Sequence, residues 1–240
     1  MTGHSFPIYF DDDPRLDRVS LAVMPMDAFS GRPVTSGVKA SVVGQFARPI
    51  KNLSGQLVFI NLPDGDIYRV NVDPSDAGYF APPESEFPDP ADPDAGKNRR
   101  HLVRLIRRPD FPFEGTTTLL RGVVMRGKEP VEAARIWLDA LVKPGKPAPD
   151  GTAKPAPRAF ETRSGDRGAF ALPLTIPHLN DPLADVDLVK GTIKRTLHLQ
   201  DGDDRVDLEI DITDGKSHIF TKPIDLVGPN EPPYFESFKP

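Results

Sequence analysis

The side chains best able to do chemistry in this sequence are scattered rather than grouped. His4, His101, His178, His198 and His218 are its five histidines, and no His-x-His or Glu-x-x-His spacing supplies a second ligand. His198 and His218 lie in strand-like runs from which they can face each other, and a histidine pair beside a carboxylate is the start of a metal site. The plainer expectation is five surface or hydrogen-bonded strand histidines, so no metal ligand is assigned. Ser54 and Ser164 sit in plain Ser-Gly turns, outside any Gly-x-Ser-x-Gly elbow, and a Ser-His-Asp triad is not expected. Asp89, Asp92 and Asp94 offer closely spaced oxygen ligands of the kind calcium takes. The distal bidentate glutamate is missing and prolines separate the acids, so residues 89–96 read as a solvated loop. Asp201, Asp203 and Asp204 flank Gly202 in what reads as a hairpin turn. Zero cysteines remove disulfides, zinc thiolates and thiol nucleophiles together. The expectation is no enzyme: no catalytic residue, no cofactor and no bound metal.

Two other groupings point to partners rather than reactions. Arg99, Arg100, Arg104, Arg107 and Arg108 form the one basic cluster, with Arg100 and Arg104 on the same face of a strand. Such a face either docks on an acidic partner or is a solvated edge that discourages strand-to-strand aggregation. Phe6, Tyr9 and Phe10 near one end, and Tyr234, Phe235 and Phe238 near the other, lie in proline-limited segments that cannot build a core of their own. Each arm either docks on another subunit or packs back on its own chain.

The elements that must carry these residues are strands. Residues 19–23, 38–43, 57–60, 67–72 and 100–106 are expected strands, and Tyr68, Val70 and Val72 share one face. Further on, 119–125, 135–142, 160–162, 169–172, 192–199, 206–212 and 218–226 follow suit, with every apolar residue of 206–212 on one face. Asp64-Gly65 and Asp214-Gly215 carry tight-hairpin chemistry. Residues 80–98 read as a loop too polar to pack, 143–157 as a second proline-broken loop, and Trp137 as part of a core strand. The order of events repeats. An apolar strand leads to Ser30-Gly31-Arg32-Pro33-Val34 and later to Ser54-Gly55, and a second leads to Gly127-Lys128-Glu129-Pro130-Val131 and later to Ser164-Gly165. A period of roughly a hundred residues is a domain-sized duplication.

Composition agrees with this plan. The 28 prolines and 19 glycines among 240 residues demand many turns, while apolar runs between them argue against wholesale disorder. A net charge of −5 disfavours broad nucleic-acid binding. The first residues have neither a basic start nor an apolar run, so no signal peptide is expected. No stretch approaches the length needed to insert in a membrane. Synthesis in the cytoplasm is expected, with later incorporation into an assembled or released particle left open.

The second unit brings a family to mind through its residues. Gly122-Val123-Val124, then Gly127 through Pro130-Val131 and Ala134-Arg135-Ile136, then Thr162 and Gly168-Ala169-Phe170, resemble the carboxypeptidase regulatory-like (transthyretin-like, prealbumin-type) β-sandwich. The first unit is similar more loosely, through Leu62-Pro63-Asp64-Gly65 and Tyr68-Arg69-Val70. The resemblance implies a fold and an appended module rather than an activity. Enzymes on similar folds are not matched: the ending Tyr234-Phe235-Glu236-Ser237 differs from the Tyr-Arg-Gly-Ser of hydroxyisourate hydrolases. The four tyrosines also lack the spacing to histidines of intradiol dioxygenases. Arg107-Arg108-Pro109-Asp110-Phe111-Pro112-Phe113 resembles the lead into sandwich modules of phage-tail-like and contractile injection particles.

The expected protein is all-β, two tandem Ig-like or prealbumin-like β-sandwiches with extended N- and C-terminal arms. Its parts are an arm (1–18), a first sandwich (19–108), a hinge (109–115), a second sandwich (116–227) and a tail (228–240). The expected role is a non-enzymatic structural component of a larger assembly, partnered by other protein subunits in a homo- or hetero-oligomer. The alternative is a carbohydrate- or cell-surface-binding module. Such a module wants exposed aromatic platforms, which a core Trp137 does not supply.

Overall fold

The computed structural model describes residues 18–63, 67–87, 99–138, 160–175, 192–232 and 234–238. Strands dominate them, with a single short 3₁₀ turn at Ser75–Ala77. The first half contributes β1 (Val19–Asp27), β2 (Lys39–Val42), β3 (Ile50–Lys51), β4 (Leu57–Ile60), β5 (Tyr68–Asp73), β6 (Ser85–Phe87) and β7 (Arg100–Leu105). They form two sheets in the orders β3-β4-β1-β7 and β2-β5-β6. Burial alternates along β4, β5 and β7, so one face of each sheet turns inward. Leu21, Val23, Phe59 and Leu105 of one sheet close on Val42, Val70, Val72 and Phe87 of the other.

The second half contributes β8 (Thr118–Arg126), β9 (Glu129–Pro130), β10 (Arg135–Leu138), β11 (Phe160–Arg163), β12 (Ala169–Leu174), β13 (Thr192–Asp201), β14 (Asp204–Thr213), β15 (Ser217–Phe220), β16 (Ile224–Asp225) and β17 (Phe235–Phe238). Its sheets run β11-β10-β13-β14 and β12-β8-β15-β17, with β9 and β16 also on β8. A second, separate core gathers Leu120, Val124, Ile136, Leu138, Phe170, Leu172, Leu197 and Ile210. Each half is therefore a β-sandwich, two sheets face to face over one apolar layer.

The duplication is topological as well as verbal. β1 pairs antiparallel with β4 and parallel with β7, and β8 pairs antiparallel with β12 and parallel with β15. The facing sheets repeat too, β2-β5-β6 against β10-β13-β14. The glycine turns that face the Pro-Val turns have a steric basis, at Gly55 of Ser54-Gly55 in one half and at Gly168, three residues past Ser164-Gly165, in the other. Gly55 and Gly168 both adopt positive φ, 79° and 70°. A Cβ on Gly55 would stand 3.2 Å from the Val34 carbonyl oxygen, and one on Gly168 would stand 3.3 Å from the Val131 nitrogen and 2.3 Å from the Val124 oxygen. In each half a glycine lets one turn settle under the Pro-Val turn of another.

Three expectations are corrected. Asp214-Gly215 is not a hairpin turn, because β14 and β15 belong to different sheets; Asp64-Gly65 lies outside the described residues, between β4 and β5, which also belong to different sheets. At Asp214-Gly215 the turn is captured by β8. Gly215 N–H donates to Thr118 Oγ1 (2.8 Å), whose hydroxyl donates to Asp214 (2.7 Å), and Leu119 N–H donates to the Lys216 carbonyl. Gly202 does close a hairpin, with Asp201 opposite Asp204. The stretch 80–98 is not all unpacked: β6 pairs with β5 and buries Phe87, while 88–98, with Asp89, Asp92 and Asp94, lies outside the described residues. The run 218–226 is broken at residues 221–223, where Pro223 interrupts it, into β15 and β16.

Candidate interaction surfaces

His101, His198 and His218 are built into the fold. His198 sits on the outer face of β13, whereas His218 lies fully buried on β15 in the opposite sheet, so the two do not meet. His218 accepts the Thr213 N–H at Nε2 (3.1 Å) and shares a 2.6 Å bond with Ser237, and burial pushes its pKa down, which favours the neutral ring. His101 shares a 2.7 Å bond with Ser85 and meets Phe87 edge-on. Buried Ser164 donates to the Val131 carbonyl (2.6 Å) and accepts from Ala134 N–H (2.9 Å), a bridge between turns rather than a nucleophile. Asp201 and Asp204 both accept from Arg126, at 3.0 and 2.7 Å. Among the described residues no three His, Asp or Glu side chains are grouped for a metal. His4 and His178 lie outside the described residues, as do Phe6, Tyr9 and Phe10 of the first arm.

The basic cluster divides. Arg100 and Arg104 share the exposed face of β7 with Leu102, as the alternation required. Arg99 donates to the Val19 carbonyl, and Arg108 pairs loosely with Asp110 at 3.4 Å. Arg107 is the correction: instead of facing a partner it is held within the chain. Its guanidinium donates to Asp27 at 2.5 and 2.9 Å and lies 4.9, 4.4 and 5.6 Å from the ring centres of Phe29, Phe111 and Phe113. The Asp27 carboxylate also caps its own turn, accepting from Phe29 N–H (2.8 Å) and Ser30 N–H (3.2 Å), and takes the Tyr79 hydroxyl at 3.1 Å. Burial raises its pKa, but the Arg107 bond, the two backbone N–H groups and the guanidinium charge outweigh that and hold it below the ordinary carboxylate value. Tyr79, buried beside that negative charge, is pushed up to about 12. The hub fastens residues 107–113 to the first sandwich.

The other arm packs on its own chain. β17 adds to β15, with Ser217 opposite Phe238 and Phe220 opposite Phe235, and Tyr234 packs against the second core. Phe238 is left half exposed.

Trp137 is a further correction. Ile136 and Leu138 face the core, and Trp137 stands on the opposite, outer face with Arg135. It stacks on His198 with ring centres 5.1 Å apart, under Arg135 at 4.7 Å and Arg205 at 5.6 Å. Arg135 is tied to Glu161 by two 3.0 Å bonds, and Asp207 accepts from both Arg205 (2.9 Å) and His198 (2.8 Å). The Arg205 bond, then the His198 bond, hold the Asp207 carboxyl below its usual pKa.

Two surfaces had no signal in residue type alone. Phe46 and Leu53 are fully exposed in the segments on either side of β3, and Ile50 on β3 and Val43 just after β2 are partly so. A cleft of about 700 Å³ also opens between the halves, where the ends of β1 and β7 approach β11 and β12. Thr162, on its wall, carries the one buried side-chain polar atom without a hydrogen-bond partner among the described residues. Neither is announced by a motif, because each depends on which strands become edges.

No protein-family model matches this sequence, that of the carboxypeptidase regulatory-like modules included, and no curated protein does. Among solved structures the chain is similar to the Bacillus anthracis TIE protein, at 14% identity over 84% of this chain, with a TM-score of 0.27. The similarity covers 33% of that protein, so this chain spans about a third of its length. It is also similar to the shaft pilin SpaA from Lactobacillus rhamnosus GG, at 15% identity over 83% of this chain and 94% of that one, with a TM-score of 0.23. Likeness at this level decides nothing about what the chain does. The all-β class stands on the strand pairing itself.

Proposed function

We propose that this chain is a non-enzymatic structural component of a larger protein assembly. One observation carries the proposal: Phe46 and Leu53, in the segments on either side of the edge strand β3, stand fully exposed. Large apolar side chains exposed around a sheet edge invite association, and we read these as a contact. The reactive side chains lend support, since His101, His198, His218, Ser164 and Tyr79 are each held in hydrogen bonds that position strands and turns. In this proposal residues 19–108 and 116–227 are two rigid modules and 109–115 joins them. The setting we favour is a phage-tail-like or contractile injection particle, on the strength of the 107–113 segment.

Light scattering on the purified chain, together with a native pull-down, tests it. A ring, a filament or a stoichiometric partner is expected, and replacing Phe46 and Leu53 with Ser should reduce it at least tenfold while leaving the melting transition in place. A strict monomer that captures nothing overturns the proposal. A second reading, binding of carbohydrate or a cell surface, would need the outward Trp137 ring cleared of His198, Arg135 and Arg205, which pack on it. Glycan-array binding abolished by Trp137→Ala would promote it.

A further inference from the structure

We propose that residues 6–13 fold back on the β3 edge of their own chain and cover it until a partner takes their place. Arm and partner then use the same edge, so the contact rests on the assembly reading above and makes that edge a protected one.

The edge is both apolar and positively charged. Arg48 and Lys51 stand exposed among Phe46, Ile50 and Leu53, and residues 43–56 contain no acid to balance the two charges. Neither is paired with a carboxylate among the described residues. β3 ends its sheet, so the backbone groups on its outer side face no neighbouring strand. The complementary ligand is an extended segment that carries aromatic side chains together with carboxylates. This chain holds one: Phe6, Tyr9 and Phe10 run directly into Asp11, Asp12 and Asp13. Pro7 lacks an N–H, so a strand that includes it closes a sheet better than it extends one.

The tether favours the arm of the same chain. That arm leaves at Arg18, whose backbone is hydrogen-bonded in both directions to Asn61. Asn61 follows β4, and Ile50 lies opposite Val58 of that strand, three residues back. A strand added outside β3 is therefore about 10 Å along the sheet and about 14 Å across it from Arg18, or about 17 Å away. About five or six extended residues span that distance, which brings Asp12 or Asp13 to the edge. β3 runs the same way as β1, because each is antiparallel to β4. The returning arm is then antiparallel to β3. Its acids arrive first, next to Arg48 and Lys51, and Phe10, Tyr9 and Phe6 continue toward Leu53. A tether this short holds the arm at an effective concentration on the order of millimolar, which a free partner must exceed or outbind.

The test uses the full chain, which has no cysteine of its own, with spin labels at Ser5→Cys and Ser54→Cys. Electron–electron distances between the labels should form a short, narrow distribution that dilution with unlabelled chain leaves unchanged. Asp11→Lys, Asp12→Lys and Asp13→Lys together should broaden it, and should lower at least tenfold the concentration at which the chain self-associates in light scattering. Adding Arg48→Asp and Lys51→Asp should restore the narrow distribution, which a general loss of order would not allow. A broad distribution with the unsubstituted arm overturns the contact. So does a narrow one that dilution abolishes, since the arm then sits on a neighbour. If the chain still assembles in either case, the assembly reading survives. A narrow distribution in a chain that stays monomeric and captures nothing, with or without the three arm substitutions, keeps the arm on β3 and overturns the assembly reading alone.

Discussion

The two halves share a plan and differ in where one strand goes. In each, a long central strand is flanked by an antiparallel partner and a parallel one, and a glycine turn is packed beneath a Pro-Val turn. The strand that precedes the Ser-Gly turn is the exception. In the first half it is β3, hydrogen-bonded to β4, and Ser54-Gly55 is a hairpin tip within one sheet. In the second half it is β11, hydrogen-bonded to β10, and Ser164-Gly165 carries the chain from one sheet to the other. β11 protects the edge of β10 and forms one wall of the cleft, whereas β3 is a two-residue edge that leaves Ile50 and Leu53 in solvent. One strand switch thus puts the edge strand beside β4 in one half and beside β10, in the facing sheet, in the other.

The comparison can be broken first at the cores. Phe59→Ala and Phe170→Ala each remove a buried aromatic side chain and are expected to cost about 3–5 kcal/mol. If the halves unfold separately, calorimetry should show each variant lowering one transition and leaving the other. Next come the turn glycines. Gly168→Ala puts a Cβ 2.3 Å from a backbone oxygen and should cost about 3 kcal/mol. Gly55→Ala, with its nearest backbone atom at 2.9 Å, should cost about 1–2 kcal/mol in the same urea titration.

The Asp27 hub belongs to the first half, and Asp27→Asn should lower stability by about 2–3 kcal/mol at neutral pH. Its carboxyl is held below the unfolded value. Its stabilisation is therefore present above the unfolded pKa, about 3.9, and lost as pH falls through the lower folded one. The Asn variant should flatten that part of the acid limb in a pH series. Thr162→Val, which replaces the one unsatisfied buried hydroxyl by an isosteric methyl, should change stability by less than about 1 kcal/mol, in the stabilising direction.

What could be read beforehand was periodicity. Val206, Leu208, Ile210 and Ile212 alternate with exposed Arg205, Asp207, Glu209 and Asp211, and β14 follows that pattern residue for residue. The same rule places Trp137 outward with Arg135, since Ile136 and Leu138 occupy the inward positions; taking the lone tryptophan as core overrode it. Strand partners were not legible. Asp-Gly fixes a local reversal of backbone direction, which serves a hairpin at Gly202 and a change of sheet at Gly215 equally well. The deciding contacts at Gly215 come from Thr118 and Leu119, far away in sequence. The Arg107 hub was half legible. Its charge was visible, but the carboxylate and rings that claim it are drawn from Asp27, Phe29 and Phe111, which meet only when β1 and β7 pair.

That pairing also bears on how the chain becomes a protein. β7 is the last strand of its half and lies parallel to the first, as β15 lies parallel to β8, so each central sheet waits for nearly all of its half to leave the ribosome. Loop closure on that scale is slow, and until it is complete β1 exposes the backbone groups that β7 will take. During synthesis, then, the nascent first half is expected to depend on chaperones until residue 105 has emerged, and translational pauses before that point should lower the yield of soluble product.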